Sequence, residues 1–116
     1  MATLKIKRVY EPEDKSDGFR VLVDRLWPRG IKKEAAHVHL WMKEIAPSTH
    51  LRKWFNHDVK KWEAFEEKYE AELEQSPVLG EFISAIKKHK KVTLLYGAKD
   101  EKHNQATILK NRLQKK

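Results

Sequence analysis

The chain contains no cysteine. That excludes a thiol nucleophile, a disulfide framework and any thiolate metal site. It also has only four glycines, too few for a phosphate-cradling glycine-rich loop, and no Gly-x-Ser-x-Gly elbow for a serine nucleophile. No stretch approaches the ~18 uninterrupted apolar residues of a membrane span. The opening segment MATLKIKRVYEPEDKS lacks the apolar centre of a signal peptide, which leads us to expect a cytoplasmic protein. Repeats, linkers and low-complexity segments are missing too, and 116 residues suit one domain.

What is abundant is positive charge. Twenty-five Lys and Arg against seventeen Asp and Glu give a net charge of +8. Such a balance favours polyanions or steers small anions. The runs at residues 87–91 and 110–116 also sit at expected helix ends, where cations interact well with the macrodipole without further purpose.

Residues 4–10 alternate apolar and basic side chains, a half-exposed strand at a sheet edge. Residues 11–18 hold Pro12 and Asp17-Gly18 and read as a loop or single turn. Residues 19–23 are apolar on both faces except Arg20, as expected for a strand covered by helices on both sides. Residues 34–46 fit either period, with helix favoured over residues 40–45. Ser48 is expected to cap a short helix carrying Leu51, Trp54 and Phe55. Asp58 is expected to cap a longer one with Trp62, Phe65, Tyr69 and Leu73 on one face. Ser76-Pro77 should open another helix, residues 92–97 form a second apolar strand, and Asp100 should cap a final helix with Ala106, Leu109 and Leu113 buried. The order predicts a small single α/β domain with a short, mainly parallel sheet flanked by helices. The link between the first two strands is short for a helical crossover, which leaves their mutual direction open.

Three blocks, GFRVLVDRLWPRG (residues 18–30), APSTHLRKWFNHD (46–58) and TLLYGAKDEKHNQA (93–106), resemble the YeaO-like branch of a domain-of-unknown-function (DUF) family. The resemblance covers nearly the whole chain. It implies a compact bacterial-type α/β domain and assigns no chemistry. Longer relatives carry a cysteine motif after the last strand; here that place reads Gly97-Ala98-Lys99-Asp100, so thiol chemistry does not carry over.

In open α/β sheets ligands bind beyond the carboxyl ends of the strands. The strand ending at Val23 delivers Asp24, Arg25, Trp27 and Arg29. The strand ending at Gly97 delivers Lys99 and Asp100, then Asn104 at the start of the last helix. If the two strands are parallel neighbours, these groups line one crevice. Arg25, Arg29 or Arg52 would grip a phosphate or carboxylate. Trp27 would stack on a flat ring, and Gly97 would let a ligand approach the backbone. Asp24 or Asp100 would serve as a general base if burial raised its pKa. His57, which lies in a family block, is the third candidate for acid–base work. Each of these residues also has a structural reading: polar corner, rigid turn or helix cap. The spacing His37-X-His39 lacks a third ligand, so no metal site is expected; the residues leave the question of a cofactor open.

Three functions follow. The first is binding or turnover of an anionic, phosphorylated or nucleotide-like small molecule in the crevice, with Arg25→Ala abolishing binding and sparing the fold. The second is nucleic-acid binding by the basic surface. The third is a homo-oligomeric interaction module pairing through the first strand.

Overall fold

The computed structural model describes residues 3–114. Its centre is a parallel sheet of four strands, β1 (Thr3–Arg8), β2 (Phe19–Leu22), β3 (Leu40–Trp41) and β4 (Lys91–Tyr96), in the order β1-β4-β2-β3. The helices are α1 (Lys33–Ala36), α2 (Thr49–Phe55), α3 (Trp62–Glu74), α4 (Leu79–Lys87) and α5 (Gln105–Gln114). The expected α/β architecture is present. No helix among the described residues is long and apolar enough to cross a membrane.

The register explains why the two faces differ. Side chains alternate across a strand, and Lys5, Thr93 and Arg20 lie side by side, as do Ile6, Leu94 and Val21. The Ile6 side, with Phe19, Val21, Val92, Leu94 and Tyr96, packs under α2 to α5 in the main core. Phe82, Tyr69, Leu73 and Leu109 fill it and are essentially inaccessible, each contributing about 1.5–3 kcal/mol through burial. Tyr69 keeps its hydroxyl satisfied by donating to the Ile45 carbonyl at 2.6 Å.

The opposite face carries the four-residue α1, whose Ala36 carbonyl accepts from Arg20, in place of a layer of long helices. Residues 9–18 return along it, which is how so short a link joins two parallel strands that are not neighbours. This cover holds an ionic knot. Asp17, buried, accepts from Lys5 (3.0 Å), Lys7 (3.1 Å) and the guanidinium of buried Arg20. Arg20 also donates to the His37 and Ala36 carbonyls, and Thr93 Oγ1 donates to the Asp17 carbonyl at 2.7 Å. Desolvation is the largest single influence on the Asp17 carboxyl and pushes its pKa up. Hydrogen bonds from the Asp14 backbone and the three cations outweigh it together and hold the group far below the usual range. Arg20 is thus the partner that lets a charge sit inside. Only a small apolar patch of Val9, Leu22 and Leu95 lies beside this knot, under Trp27 and Trp41.

Several expected boundaries move. Residues 40–45 are not a helix: Leu40–Trp41 is a strand, followed by a 3-10 turn at Lys43–Ile45. The open edge of β2 decides this, because the His39 and Met42 N–H groups donate to the Arg20 and Leu22 carbonyls at 2.9 and 3.0 Å. Ser48 caps α2 as expected, accepting from the Leu51 N–H. Asp58 caps a 3-10 turn, Val59–Lys61, that runs into α3. Pro77 stands ahead of α4, whose first residue is Leu79.

Candidate functional site

β2 and β4 are parallel neighbours, so their carboxyl ends lie side by side. The ladder continues one step past β2, with the Val23 N–H donating to the Leu95 carbonyl at 3.0 Å. Next comes Asp24. Its carboxylate crosses to the end of β4 and accepts the Gly97 N–H at 2.9 Å, while its other oxygen accepts from the Gln105 side chain at the start of α5. A Cβ at Gly97 would stand 2.8 Å from that carboxylate. Gly97 therefore makes room for Asp24, and it also lines the cleft described below. Burial pushes the Asp24 pKa up from 3.8 to about 6, against the opposing hydrogen bonds of Gly97 and Gln105 and the charges of Arg52 and His57.

The segment beyond Asp24 is held through its carbonyls, from outside by Trp41 and Tyr10 and from within by Trp27. Trp41 Nε1 donates to the Asp24 carbonyl (2.8 Å), Tyr10 OH to the Arg29 carbonyl (2.9 Å) and Trp27 Nε1 to the Ile31 carbonyl (2.7 Å). Arg25 reaches outward to the Pro47 and Ala46 carbonyls, at 2.9 and 3.0 Å. Arg25 is thus a strut as well as a cleft residue. The expectation that Arg25→Ala spares the fold is corrected on that ground. Trp27 packs edge-on against Trp41, with centroids 5.4 Å apart.

These elements enclose a cleft of about 400 Å³. Asp24, Arg25, Trp27 and Arg29 line it from the β2 side, and Arg52 and His57 from α2 and the turn that follows it. Arg29 and Arg52 are exposed, free of the backbone duties that occupy Arg25. α2 ends in two consecutive left-handed residues, Asn56 and His57 (φ 46° and 56°). Such conformations are uncommon outside glycine, and they turn the chain sharply enough to bring His57 to the cleft wall.

The β4 side departs from the sequence reading. Lys99 is exposed and Asp100 half-buried, and neither lines the cleft. Asp100 does not cap α5 directly; one oxygen accepts the Lys102 and His103 N–H groups, closing the turn before the helix. The role of first-turn acceptor falls to Asn104, whose Oδ1 takes the Thr107 N–H at 3.2 Å while its amide donates to the Asp100 carbonyl. Asn104 reaches the cleft wall but is itself buried. Nor is Asp100 a carboxyl poised by burial: the His103 and Lys102 N–H groups and the His103 ring lower its pKa to about 2. What it holds is a residue to which the sequence reading assigns no role. His103 Nδ1 lies 2.9 Å from Asp100 Oδ2, and the ring lines the cleft. The signal is present as Asp-x-x-His directly after a strand. His37 and His39 have separate partners, Glu13 and the Arg20 N–H, and no cluster of three or more metal-ligating side chains occurs among the described residues.

The family described as the inactive DUF488-N3 subclade matches residues 3–116. The uncharacterized protein YeaO of Escherichia coli K12 is 49% identical over 106 residues, 91% of this chain and 92% of that protein. The chain belongs to the YeaO-like DUF family. A second relative, the uncharacterized protein Rv3073c of Mycobacterium tuberculosis H37Rv, is 45% identical over 78 residues, 67% of this chain and 66% of the relative. No solved structure matches the chain.

Proposed function

We propose that the cleft at the ends of β2 and β4 binds an anionic small molecule of the phosphorylated or nucleotide-like class. The observation that carries this reading is the charge of the lining. Arg25, Arg29, Arg52 and Lys53 contribute four cations, and Asp24 the only carboxylate among the lining residues. That carboxylate is turned onto Gly97 and Gln105 and ionises reluctantly, so the net field in the cleft attracts anions. A volume of about 400 Å³ is within the range of small-molecule sites. The absence of any cysteine, together with the description of the subclade as inactive, favours binding without a covalent thiol step. Asp24 and His57 remain the residues through which turnover would run; Asp100 stands outside the cleft lining.

The test is calorimetric titration with a nucleoside monophosphate. Arg52→Ala removes an exposed cation and is expected to weaken binding about tenfold, the usual loss for one charge-assisted hydrogen bond. Equal affinity of the parent and of an Arg29→Ala/Arg52→Ala double variant would refute the reading.

A second reading has one observation of its own. Lys33 lies over both the Trp27 and Trp41 rings (5.7 and 5.9 Å), and Lys43 over Trp41 at 5.4 Å. This basic, indole-bearing wall beside the cleft suits stacked bases of a single strand. Oligonucleotide binding with a steep salt dependence is its signature; affinity unchanged by salt would remove it.

A further inference from the structure

His103 has the geometry of an oriented acid–base group, and none of the readings above uses it. Its Nδ1 is 2.9 Å from Asp100 Oδ2, and the indole of Trp62 meets the ring at 82°, with centroids 5.1 Å apart. Those two contacts, one from its own loop and one from α3, fix the plane of the ring. Asp100 also accepts two backbone N–H groups at its other oxygen, so it stays an ionised acceptor, and Nδ1 must carry the proton between them. Nε2 is the nitrogen left for a ligand. On a neutral ring it is a lone pair and repels an oxyanion; on a protonated ring it is a charged donor.

We propose that His103 is a proton-dependent binding residue of the cleft, held by Asp100, so that the site takes up a proton as it takes up a dianionic oxyanion. This rests on the reading of the cleft as an anion site and adds the group that makes affinity depend on pH. The charged and titratable groups sharing the cleft with the ring are Asp24, Arg25, Arg29, Arg52, Lys53, His57 and Tyr10, with Asp100 behind it. The arginines keep their charge throughout the range. Asp24, whose carboxyl pKa is raised by burial, loses negative charge on acidification, which also favours an anion, and His57 brings a second imidazole to the cleft. The contribution of His103 must therefore be separated from theirs.

Sulfate is the probe, because unlike phosphate it remains a dianion between pH 6 and 8. Calorimetric titration is made at both pH values, with ionic strength held constant by chloride, in an Asp24→Asn/His57→Gln background that removes the two competing groups. Sulfate is expected to bind about tenfold more tightly at pH 6 than at pH 8, as for one added charge-assisted bond. Adding His103→Gln to that background should flatten the difference. A pH dependence that survives His103→Gln, or none in the Asp24→Asn/His57→Gln protein, overturns the proposal while the anion site stands. No sulfate binding at either pH overturns the anion site itself, and this proposal with it. Should these variants fold poorly, nitrogen NMR of the parent gives the reciprocal reading. Linkage requires sulfate to raise the titration midpoint of the His103 ring by the factor that pH changes affinity. An unmoved midpoint overturns the proposal.

Discussion

Replacing Asp24 by asparagine should change stability with a sign that depends on pH. The folded carboxyl has a pKa of about 6 against an ordinary 3.8, a rise of about two units, or roughly 3 kcal/mol. Because the folded value is the higher one, folding favours the protonated form. That contribution is full below about pH 4 and is lost as pH rises through about 6. The introduced asparagine keeps the shape, and its carbonyl still accepts the Gly97 N–H. Its amide then faces the Gln105 amide, which must flip and give up its long bond to the Val23 carbonyl (3.4 Å). That flip costs about 1 kcal/mol at every pH. The variant is therefore expected to be about 1 kcal/mol less stable than the parent near pH 4, and about 2 kcal/mol more stable at pH 8. Urea unfolding at pH 4, 6 and 8 measures both, provided the slopes agree. Equal destabilisation at pH 4 and pH 8 would refute the argument, because the ionised carboxylate would then be a net stabilising group.

Asp17→Asn should act in the opposite sense. It leaves buried Arg20 without its counter-ion and is expected to cost about 3–5 kcal/mol at neutral pH. Since the Asp17 pKa is lowered in the fold, its stabilisation is present above the ordinary carboxyl pKa and fades as pH falls, so thermal melts of parent and variant should converge in acid. Gly97→Ala should destabilise by about 1–3 kcal/mol through collision with the Asp24 carboxylate. In an Asp24→Ala background the loss should largely disappear, and a double-mutant cycle with no coupling would contradict the packing described. Tyr69→Phe should cost about 1–3 kcal/mol by leaving the Ile45 carbonyl unpaired in the core; unchanged chemical denaturation would show that water reaches it.

Much of the fold is legible in the chain because apolar spacing is a local signal. Trp62, Phe65, Tyr69 and Leu73 announce α3, and the run from Val92 to Tyr96 announces β4. The part that misleads is set by distant partners. Residues 40–45 carry both periods, and only the exposed edge of β2 turns Leu40–Trp41 into a strand. Arg20 looks like a flaw in a buried strand until Asp17, three residues away, is folded back over it. At the site, the convergence of Asp24, Arg25 and Arg29 with the end of β4 follows from strand-end placement once the strands are parallel. Which groups face the cleft depends on the turn after β4. There Asp100 spends its oxygens on backbone N–H groups and the His103 ring, Asn104 takes over the helix start, and Lys99 stays outside the cleft lining. Residue type cannot reveal such local bonding choices.

The grip on residues 24–31 has a consequence for how this protein can diverge. Tyr10, Trp27 and Trp41 hold that segment by its carbonyls, and Arg25 ties it to Ala46 and Pro47. Arg29, Arg52 and Lys53 face the same cleft but stand exposed. The residues that hold the walls and the cations exposed in the cleft are thus different. On the proposed reading, relatives could exchange the outer cations, and with them the ligand, while the indoles, the phenol and the strut keep the cleft walls in place.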